Sequence, residues 1–567
     1  METTFLLRTL GRRGVLRPGR PDKVVRQLNA LRRWSFTLAG QLYSAAARDP
    51  DRIAVIDETG PLTYRELTDQ AQRLANGLRG RLGVRAGDRV GILCRNSVAM
   101  LESMLATSAI GADLVMINTG LGPGQLEAVL HDQAIRVLIH DDEFFELLAA
   151  VPPHVARVSA DGGAWRTSPT VAGLIASTVD PDLPPPARPG RTIILTSGTT
   201  GTPKGARRPI PGFDALASVI GRIPMRVHER MFIAAPLFHT WGYSGLQVAL
   251  ALRATVALRR RFEPAETLAA IREHDCRTLL AVPVMLQRLL DAVPAAPFAS
   301  PLKVVASSGS ALPAPLVPRL LAVFGDVLYN LYGSTEAGSA TIATAPELRA
   351  DPTCAGRPSP GTRVLILDPD GNPLPPMHIG RILVGSEMVF DGYTNGDAGR
   401  ESRDGLVDTG DLGHLTPDGL LHVVGRVDDM VVSGGENVYP SAVENTIAEL
   451  PQVRDVAVVG VADDEYGQRL AAWIELYPGE HLDPEAVREY VRRAMARFSV
   501  PRDVYFVAEL PRNATGKVMR RYLTAPPGVP YPTTPPGAPT NPPPARSGSA
   551  WMPGANDVTR HLPHLAN

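Results

Sequence analysis

The chain of 567 residues is too long for one typical domain, and its hydrophobic content of 44% is that of a globular protein. Its 58 basic and 58 acidic residues give a formal net charge of zero, which argues against a dedicated nucleic-acid-binding protein. Its three cysteines lie far apart in the sequence, so there is no disulfide framework or CxxC metal signature, and a reducing, cytoplasmic compartment is expected.

Residues 1–35 form a basic N-terminal extension, in which nine basic residues face only two acidic ones. Val24, Leu28 and Leu31 recur at helical spacing, so the segment is a candidate for a basic helix lying on an anionic membrane surface. A helix packed against the body of the protein is the main alternative, and an organellar transit peptide is another. No run of 18 apolar residues occurs, so no membrane-spanning segment is expected.

Short apolar runs that end in Gly, Ser or Pro alternate with helix-like segments from residue 36 to about residue 360. This alternation predicts βαβ units and mostly parallel sheets, whose ligands bind beyond the carboxyl ends of the strands. The predicted strands of this kind are residues 88–94, 191–198, 230–236, 277–283, 302–309 and 326–333.

Hairpin-like strands with DG and GN turns follow residue 360, and a smaller unit begins near residue 427. We therefore predict an α/β fold with a large N-terminal domain of βαβ-type sheets over residues 36–426, which includes a β-rich subdomain. A small mobile α+β domain is predicted over residues 427–525. Ten of the nineteen residues from 526 to 544 are proline, so residues 526–567 are predicted to be a disordered tail.

The segment TSGTTGTPKG, residues 196–205, follows a predicted strand and has the composition of a phosphate-binding loop. Its hydroxyl groups can donate to phosphate oxygens, and its glycines let backbone amides approach closely. The spacing is not that of a Walker A loop. Only four of the 58 basic residues are lysines, and two of these, Lys204 and Lys517, lie beside glycines in such loops. A compact ammonium group is not replaced by guanidinium without loss, so both lysines are candidates for chemistry.

Two further loops carry groups that suit a nucleotide. In YGSTEAG, residues 332–338, Tyr332 could stack on a base, Thr335 could bond a phosphate, and Glu336 could bind Mg²⁺. In DTGDLG, Asp411 could accept hydrogen bonds from the ribose hydroxyl groups.

Together with GRVDDMVVSGGENVYP (425–440) and PRNATGKVMRR (511–521), these segments match in order and spacing the core motifs of the acyl-adenylate-forming enzymes. The family includes acyl-CoA synthetases, luciferases and the adenylation domains of peptide synthetases. The resemblance runs from about residue 34 to residue 523 and is strongest to bacterial fatty-acyl-CoA synthetases. It implies that a carboxylate attacks the α-phosphate of ATP in the presence of Mg²⁺, that the small domain then rotates, and that coenzyme A attacks the acyl-AMP.

The resemblance also implies roles for individual residues. Lys517 would bridge the carboxylate and the α-phosphate, His239 would shape the acyl site, and Asp428 would be the hinge between the domains. Glu336 and Thr196 would bind Mg²⁺. The residues implied for the nucleotide and coenzyme A are Thr196, Ser197, Gly198, Thr199, Thr200, Gly201, Lys204, Gly309, Ser310, Ala311, Tyr332, Gly333, Thr335, Asp411, Arg426, Gly434 and Lys517.

The apolar, small-residue-rich segment WGYSGLQVALAL, residues 241–252, favours a tunnel for a medium- or long-chain fatty acid. Three alternatives stay open: a ligase that loads a carrier protein, a coenzyme A ligase for an aromatic or short acid, and a non-catalytic descendant. The expected partners are small molecules and not nucleic acid, with a membrane contact through the basic N-terminus as a further option. The sequence leaves the oligomeric state open.

Overall fold

The computed structural model describes most of the chain up to Leu523. The proline-rich segment 526–567 lies outside the described residues. The described ranges are 3–162, 169–178, 182–196, 203–293, 299–396, 402–433, 436–463 and 466–523.

Fifteen α-helices lie within these ranges. Local signals set several of their ends: Thr63 and Glu66 form a capping box at the start of one helix, and Gly83 ends it in the left-handed conformation. The helices are α1 (Thr3–Arg12), α2 (Pro21–Trp34), α3 (Leu38–Arg48), α4 (Tyr64–Leu82), α5 (Val98–Ile110), α6 (Pro123–Asp132), α7 (Val171–Ala176), α8 (Phe213–Arg222), α9 (Thr240–Ala251), α10 (Pro264–Glu273), α11 (Pro283–Ala292), α12 (Leu316–Phe324), α13 (Ala345–Ala350), α14 (Pro440–Ile447) and α15 (Pro484–Ala494).

The described part of the chain also contains twenty-five β-strands. They are β1 (Ile53–Asp57), β2 (Gly60–Thr63), β3 (Arg89–Leu93), β4 (Asp113–Met116), β5 (Ile135–His140), β6 (Ala156–Ser159), β7 (Thr192–Thr196), β8 (Lys204–Arg208), β9 (Arg230–Ile233), β10 (Thr255–Ala257), β11 (Thr278–Ala281), β12 (Val304–Ser307), β13 (Leu328–Ser334), β14 (Gly338–Ala343), β15 (Arg357–Pro358), β16 (Arg363–Leu367), β17 (Gly380–Gly385), β18 (Ser402–Arg403), β19 (Leu406–Leu415), β20 (Leu421–Arg426), β21 (Val431–Ser433), β22 (Glu436–Val438), β23 (Val453–Asp463), β24 (Gly467–Leu476) and β25 (Asp503–Val507).

Two mostly parallel sheets form the large domain. As far as the chain is described, one has nine strands in the order β15-β14-β13-β12-β11-β9-β10-β1-β2, and the other has six in the order β6-β5-β3-β4-β7-β8. The inner pairs are parallel, whereas β8, β14, β15 and β2 add antiparallel edges. The predicted α/β class and βαβ organisation are confirmed, and each predicted strand listed above overlaps an observed one. The main apolar core lies around α3, α4, α5 and α9 between these sheets.

The chain after residue 360 forms two smaller sheets. Strands β16 to β20 pair in an antiparallel manner, as the turn residues predicted. Strands β21 to β25 belong to the small domain, where α14 and α15 cover the sheet. The predicted boundary after Arg426 falls at a turn, residues 427–429, between these two sheets.

The basic N-terminal extension folds into α1 and α2. Pro21 is the first residue of α2, where its missing N–H has no effect on the helix. Helix α1 contacts α8, and α2 contacts α3. No helix within the described ranges has both the length and the apolar composition that crossing a membrane requires.

Candidate active site

A cavity of about 740 Å³ lies where the strand ends of both large sheets meet the β16–β20 sheet and one loop of the small domain. This is the location that parallel sheets favour for ligands. Ten of the residues implied by the resemblance line it: Thr196, Lys204, His239, Gly309, Gly333, Thr335, Glu336, Asp411, Arg426 and Lys517.

Other predicted residues take different places. Ser310 and Ala311 are exposed next to Gly309 and do not line the cavity. Asp428 is exposed on the turn between β20 and β21, with its carboxylate 4.0 Å from Arg426. The residues of the predicted site that lie outside the described ranges are Ser197, Gly198, Thr199, Thr200, Gly201 and Gly434.

Strands β7 and β8 pair on either side of the glycine-rich segment in the sequence. Thr196 pairs with Lys204 at the last register position, and the Thr196 hydroxyl donates to the Lys204 carbonyl at 3.3 Å. The Lys204 ammonium lies 5.4 Å from the centre of the Tyr393 ring, within the range of a cation–π contact. The Tyr393 hydroxyl in turn donates to a Glu336 oxygen at 2.8 Å. Tyr393, which the sequence analysis did not single out, thus contacts both the Lys204 cation and the Glu336 carboxylate.

Arg208 is a second residue that the sequence analysis missed. It is only 3% exposed, lines the cavity, and donates to the Thr335 carbonyl. The Thr335 hydroxyl lies 2.8 Å from that of Thr240. Burial lowers the pKa of Arg208 to about 10, so the side chain is still a cation at neutral pH. Strand alternation places residue 208 on the same face as Lys204, and this signal would have identified it.

Asp411 and Arg426 face each other on the paired strands β19 and β20. Their side chains are 3.4 Å apart, and the Tyr332 hydroxyl donates to Asp411 at 2.7 Å. Burial and the Asp411 charge raise the pKa of Tyr332 well above its ordinary value, so the hydroxyl remains a donor. Tyr332 therefore orients Asp411 toward the cavity, while its contact with a base stays a prediction.

Lys517 reaches the cavity from the small domain on a tight turn. The Asn513 side-chain oxygen accepts hydrogen bonds from the backbone N–H groups of Thr515 and Lys517, at 3.0 and 2.9 Å. Gly516 has a φ of +83°, and a Cβ there would lie 2.6 Å from Val284 of the large domain. The turn is therefore pressed against the large domain in a conformation that requires glycine.

The charge state of this region follows from burial. Burial is the main cause that lowers the pKa of Lys517, followed by the nearby Arg426 cation. Burial and the Lys517 charge lower the pKa of His239 to about 4, so the imidazole is neutral at physiological pH. His239 precedes α9, and its Nδ1 accepts from the Trp241 N–H at 3.5 Å, which leaves the ring proton on Nε2.

An uncharged branch of the cavity extends from His239 between α8 and α9. Residues at successive turns of α9 line it, from Trp241 to Ala251, which corresponds to about 16 Å at 1.5 Å per residue. A Cβ on Gly245 would lie 2.9 Å from Leu280, so glycine lets α9 pack closely on strand β11 beside the branch. The lining residues are Phe36, Gln41, Pro211, Gly212, Ala215, Leu216, Val219, Met225, Trp241, Ser244, Gly245, Gln247, Val248, Ala251, Leu280 and Leu331.

The donors at the cavity suit a metal ion that arrives with phosphates. No group of three or more His, Cys, Asp or Glu side chains that could hold a metal ion occurs among the described residues. Glu336 offers one carboxylate and Thr196 a hydroxyl, and both residues line the cavity. Mg²⁺ is commonly bound through one or two carboxylates, with phosphates and water completing its coordination, so the residues present fit a magnesium–nucleotide complex.

Comparison with known families gives two matches. The family described as "AMP-binding enzyme" matches residues 42–394, and "AMP-binding enzyme C-terminal domain" matches residues 442–517. The first match contains most of the cavity lining, and the second ends on Lys517.

Individual proteins match over nearly their full lengths. A feruloyl-CoA synthase from Amycolatopsis sp is 34% identical over 84% of this chain and 96% of its own. The fatty acid–[acyl-carrier-protein] ligase ScoC from Streptomyces coeruleorubidus is 30% identical over 84% of this chain and 94% of its own. Among solved structures, the anthranilate CoA ligase AuaEII with anthranoyl-AMP has a TM-score of 0.78 at 27% identity, over 86% of this chain and 96% of that one.

Proposed function

The chain belongs to the AMP-binding enzyme family, and we propose that it joins a medium- or long-chain fatty acid to coenzyme A through an acyl-AMP intermediate. As a member it is an AMP-forming acid–thiol ligase that uses ATP and coenzyme A. The finer assignment of the acid rests on the uncharged branch of the cavity.

The length and chemistry of that branch favour an elongated apolar acid. Its lining follows α9 for about 16 Å and includes no charged side chain among the residues that the structure describes. A benzoate-sized acid would fill only the part next to His239 and leave most of the apolar lining without contacts. Each buried methylene of a longer acid adds about 0.8 kcal/mol of hydrophobic stabilisation.

In the proposed first step, a carboxylate oxygen attacks the α-phosphorus of ATP and the bond to pyrophosphate breaks. The Lys517 ammonium lies between the two negative groups and offsets their repulsion. Lys204 and the segment 196–202 hold the outer phosphates, and Thr335 contacts the α-phosphate. Such steps depend mainly on positioning and on fixed charges.

The remaining roles in this step concern the nucleotide. Asp411 and Arg426 hold the ribose, and Gly309 and Gly333 line the nucleotide beside the acyl branch. Glu336, with Thr196, binds Mg²⁺, which neutralises phosphate charge when bound.

In the proposed second step, the small domain turns about Asp428 and withdraws Lys517. The thiolate of coenzyme A attacks the acyl carbon, the bond to AMP breaks, and the thiol proton goes to solvent. Gly434 lies beside the pantetheine arm in this arrangement. The exposed position of Asp428 on a turn between two sheets supports a hinge there, because hinges are residues in loops or at element ends that absorb a change in backbone angles.

Two other acceptor and substrate classes are represented among the relatives. The relative ScoC is named for loading a carrier protein, and two others are named for aromatic acids. The uncharged branch favours a fatty acid over a small aromatic acid, but it does not bear on the acceptor. Coenzyme A is proposed as the acceptor because the feruloyl-CoA synthase and the AuaEII ligase both use it by name.

The experiment is a panel of acids of increasing chain length, together with benzoate, cinnamate and ferulate, assayed for thioester formation with ATP, Mg²⁺ and coenzyme A. The proposal predicts that kcat/KM rises with chain length until the branch is full. A maximum at an aromatic acid would overturn the assignment of the acid. Acyl-AMP that accumulates without thioester would point to a carrier protein as the acceptor.

A further inference from the structure

We propose that the N-terminal segment, residues 3–34 with α1 and α2, docks on an anionic lipid bilayer. This segment contains nine basic side chains and one acidic side chain, Asp22. Asp22 is already engaged by Arg20 and Arg26. Five exposed arginines have no acidic partner within 4.0 Å among the described residues: Arg8, Arg12, Arg17, Arg32 and Arg33.

Large apolar side chains are exposed between these arginines. Leu7, Leu16, Val25 and Leu28 are 54%, 49%, 55% and 59% exposed. Val25 and Leu28 are three residues apart on α2 and therefore share a face, and Arg32 follows Leu28 by one turn. Leucines flanked by arginines are the composition of a helix that lies at a membrane interface.

The exposed residues are not required to hold the N-terminal segment on the protein. Other side chains do this: the Phe5 ring and Thr9 lie against Gly221 of α8, and Arg13 donates to the Ile220 carbonyl at 2.8 Å. Trp34 is buried and packs edge-on against Tyr43 of α3. The exposed leucines and arginines are thus free to contact a partner while other side chains hold the segment in place. Because apolar and basic side chains alternate, a lipid surface fits better than a nucleic acid, which would leave the leucines in water.

The position of this surface suits a fatty acid. Phe36 follows α2 by two residues, lines the cavity, and packs edge-on against the exposed Phe213 with ring centres 5.0 Å apart. Docking of the N-terminal segment would bring this aromatic pair close to the bilayer that holds the substrate. This advantage rests on the proposed function, whereas the docking itself does not.

The test uses the full chain in vesicle flotation, with vesicles of phosphatidylcholine alone and of an equimolar mixture with phosphatidylglycerol. We expect binding to the mixed vesicles only, and weaker binding at high salt, because the attraction is electrostatic. Replacing Arg32 by Gln is expected to weaken binding about fivefold, since each basic residue near the surface contributes about that factor. The double variant Val25→Glu/Leu28→Glu is expected to abolish binding, and Ile379→Glu, at an exposed apolar residue of the large domain, is the matched control.

Equal binding to both vesicle types, equal binding of the double variant, or no binding of the wild type would each overturn the docking proposal. Thermal unfolding of each variant checks that the fold is retained. Thioester formation from a water-soluble acid without vesicles should be the same in the double variant and the wild type. If that activity is absent from the wild type, the proposed function fails, and the flotation result still decides the docking proposal.

Discussion

Gly516 is the residue on which the placement of Lys517 depends most. Its φ of +83° disfavours any side chain, and a Cβ would meet Val284 at 2.6 Å. We therefore expect Gly516→Ala to reduce acyl-AMP formation by tenfold or more, because the turn can no longer press against the large domain. The measurement is the rate of pyrophosphate release from ATP and a saturating acid.

Gly479 provides a matched control for that variant. It has a φ of +84° in the same small domain, but nothing lies within 4 Å of its Cβ position. Gly479→Ala should lower stability by roughly 1 kcal/mol through the backbone alone and leave pyrophosphate release unchanged. Equal activity of both variants would show that the contact with Val284 does not position Lys517.

At the level of single residues, the amino-acid composition identified members of the site but not the contacts between them. The scarcity of lysine pointed to Lys204 and Lys517, and both line the cavity. Tyr393 was not singled out, because its contacts with Lys204 and Glu336 join segments that are far apart in the chain. Arg208 could have been inferred from strand alternation, but its contact with the Thr335 carbonyl could not.

Under the proposed function, helix α9 is expected to set how long an acid the enzyme accepts. Ala251, its last residue, lines the uncharged branch at the end away from His239. We expect Ala251→Trp to shorten this branch, so that kcat/KM falls tenfold or more for the longest accepted acid and is retained for acids several carbons shorter.

The same substitution at Ala265, which is exposed in the first turn of α10, is the control. Ala265→Trp should leave the dependence of kcat/KM on chain length unchanged. An unaltered chain-length profile in Ala251→Trp would mean that the acyl group does not follow α9.

Contacts between α11 and the small domain hold the arrangement in which Lys517 enters the cavity. The Asp291 carboxylate lies 3.1 Å from Arg454 of β23 and 3.8 Å from Arg319 of α12. We expect Asp291→Ala to slow acyl-AMP formation about fivefold, because the variant loses an ion pair that contributes up to about 1 kcal/mol. Thioester formation from supplied acyl-AMP should not slow. Rapid-quench measurements of the two half-reactions distinguish these effects.

Asp326→Ala is the control, because Asp326 pairs with Arg349 within the large domain. It should leave both half-reactions unchanged. Equal slowing of both half-reactions by Asp291→Ala would indicate general damage and contradict a specific role of this contact.

Part of the secondary structure was predictable because its signals are local. The apolar runs identified six strands of the two large sheets, and turn residues identified the β16–β17 hairpin. The orientation of α2 was not predictable from spacing: Val24 and Leu31 are half-buried, whereas Leu28 on the same predicted stripe is exposed. Which face of α2 is covered depends on its contact with α3, and the sequence of α2 does not contain that information.

For the molecule as a whole, a buried carboxyl group links stability to pH. Glu102 of α5 is 5% exposed, and burial, with a smaller effect of the Asp57 charge, raises its pKa from an ordinary 4.5 to about 8. Between about pH 4.5 and pH 8, the folded chain therefore keeps a proton on Glu102 that the unfolded chain has released. The free energy of unfolding falls as pH rises through that window.

We expect Glu102→Gln to raise the thermal midpoint at pH 8 and to change it little at pH 5. The gain at pH 8 is at most about 4 kcal/mol, the free energy that a shift of this size represents. Glu127→Gln, at an exposed position of α6, is the control and should have no effect at either pH. A similar change at both pH values would contradict the raised pKa.

The docking of the two domains is the feature of the whole molecule that the sequence could not reveal. It depends on pairs such as Tyr477 with Gln287 and Arg288 with Glu509, whose partners are about 200 residues apart in the chain. Each is a polar surface contact of the kind that transient interfaces use. Their modest strength is compatible with the proposed withdrawal of Lys517 after the first step.

The most direct test of the central claim is to measure both half-reactions in Lys517→Ala and Lys303→Ala. Lys303 is an exposed lysine of the large domain and serves as the control. We predict that Lys517→Ala loses at least a hundredfold in pyrophosphate release and still converts supplied acyl-AMP and coenzyme A to thioester, while Lys303→Ala matches the wild type in both. Pyrophosphate release at the wild-type rate in Lys517→Ala would contradict the account.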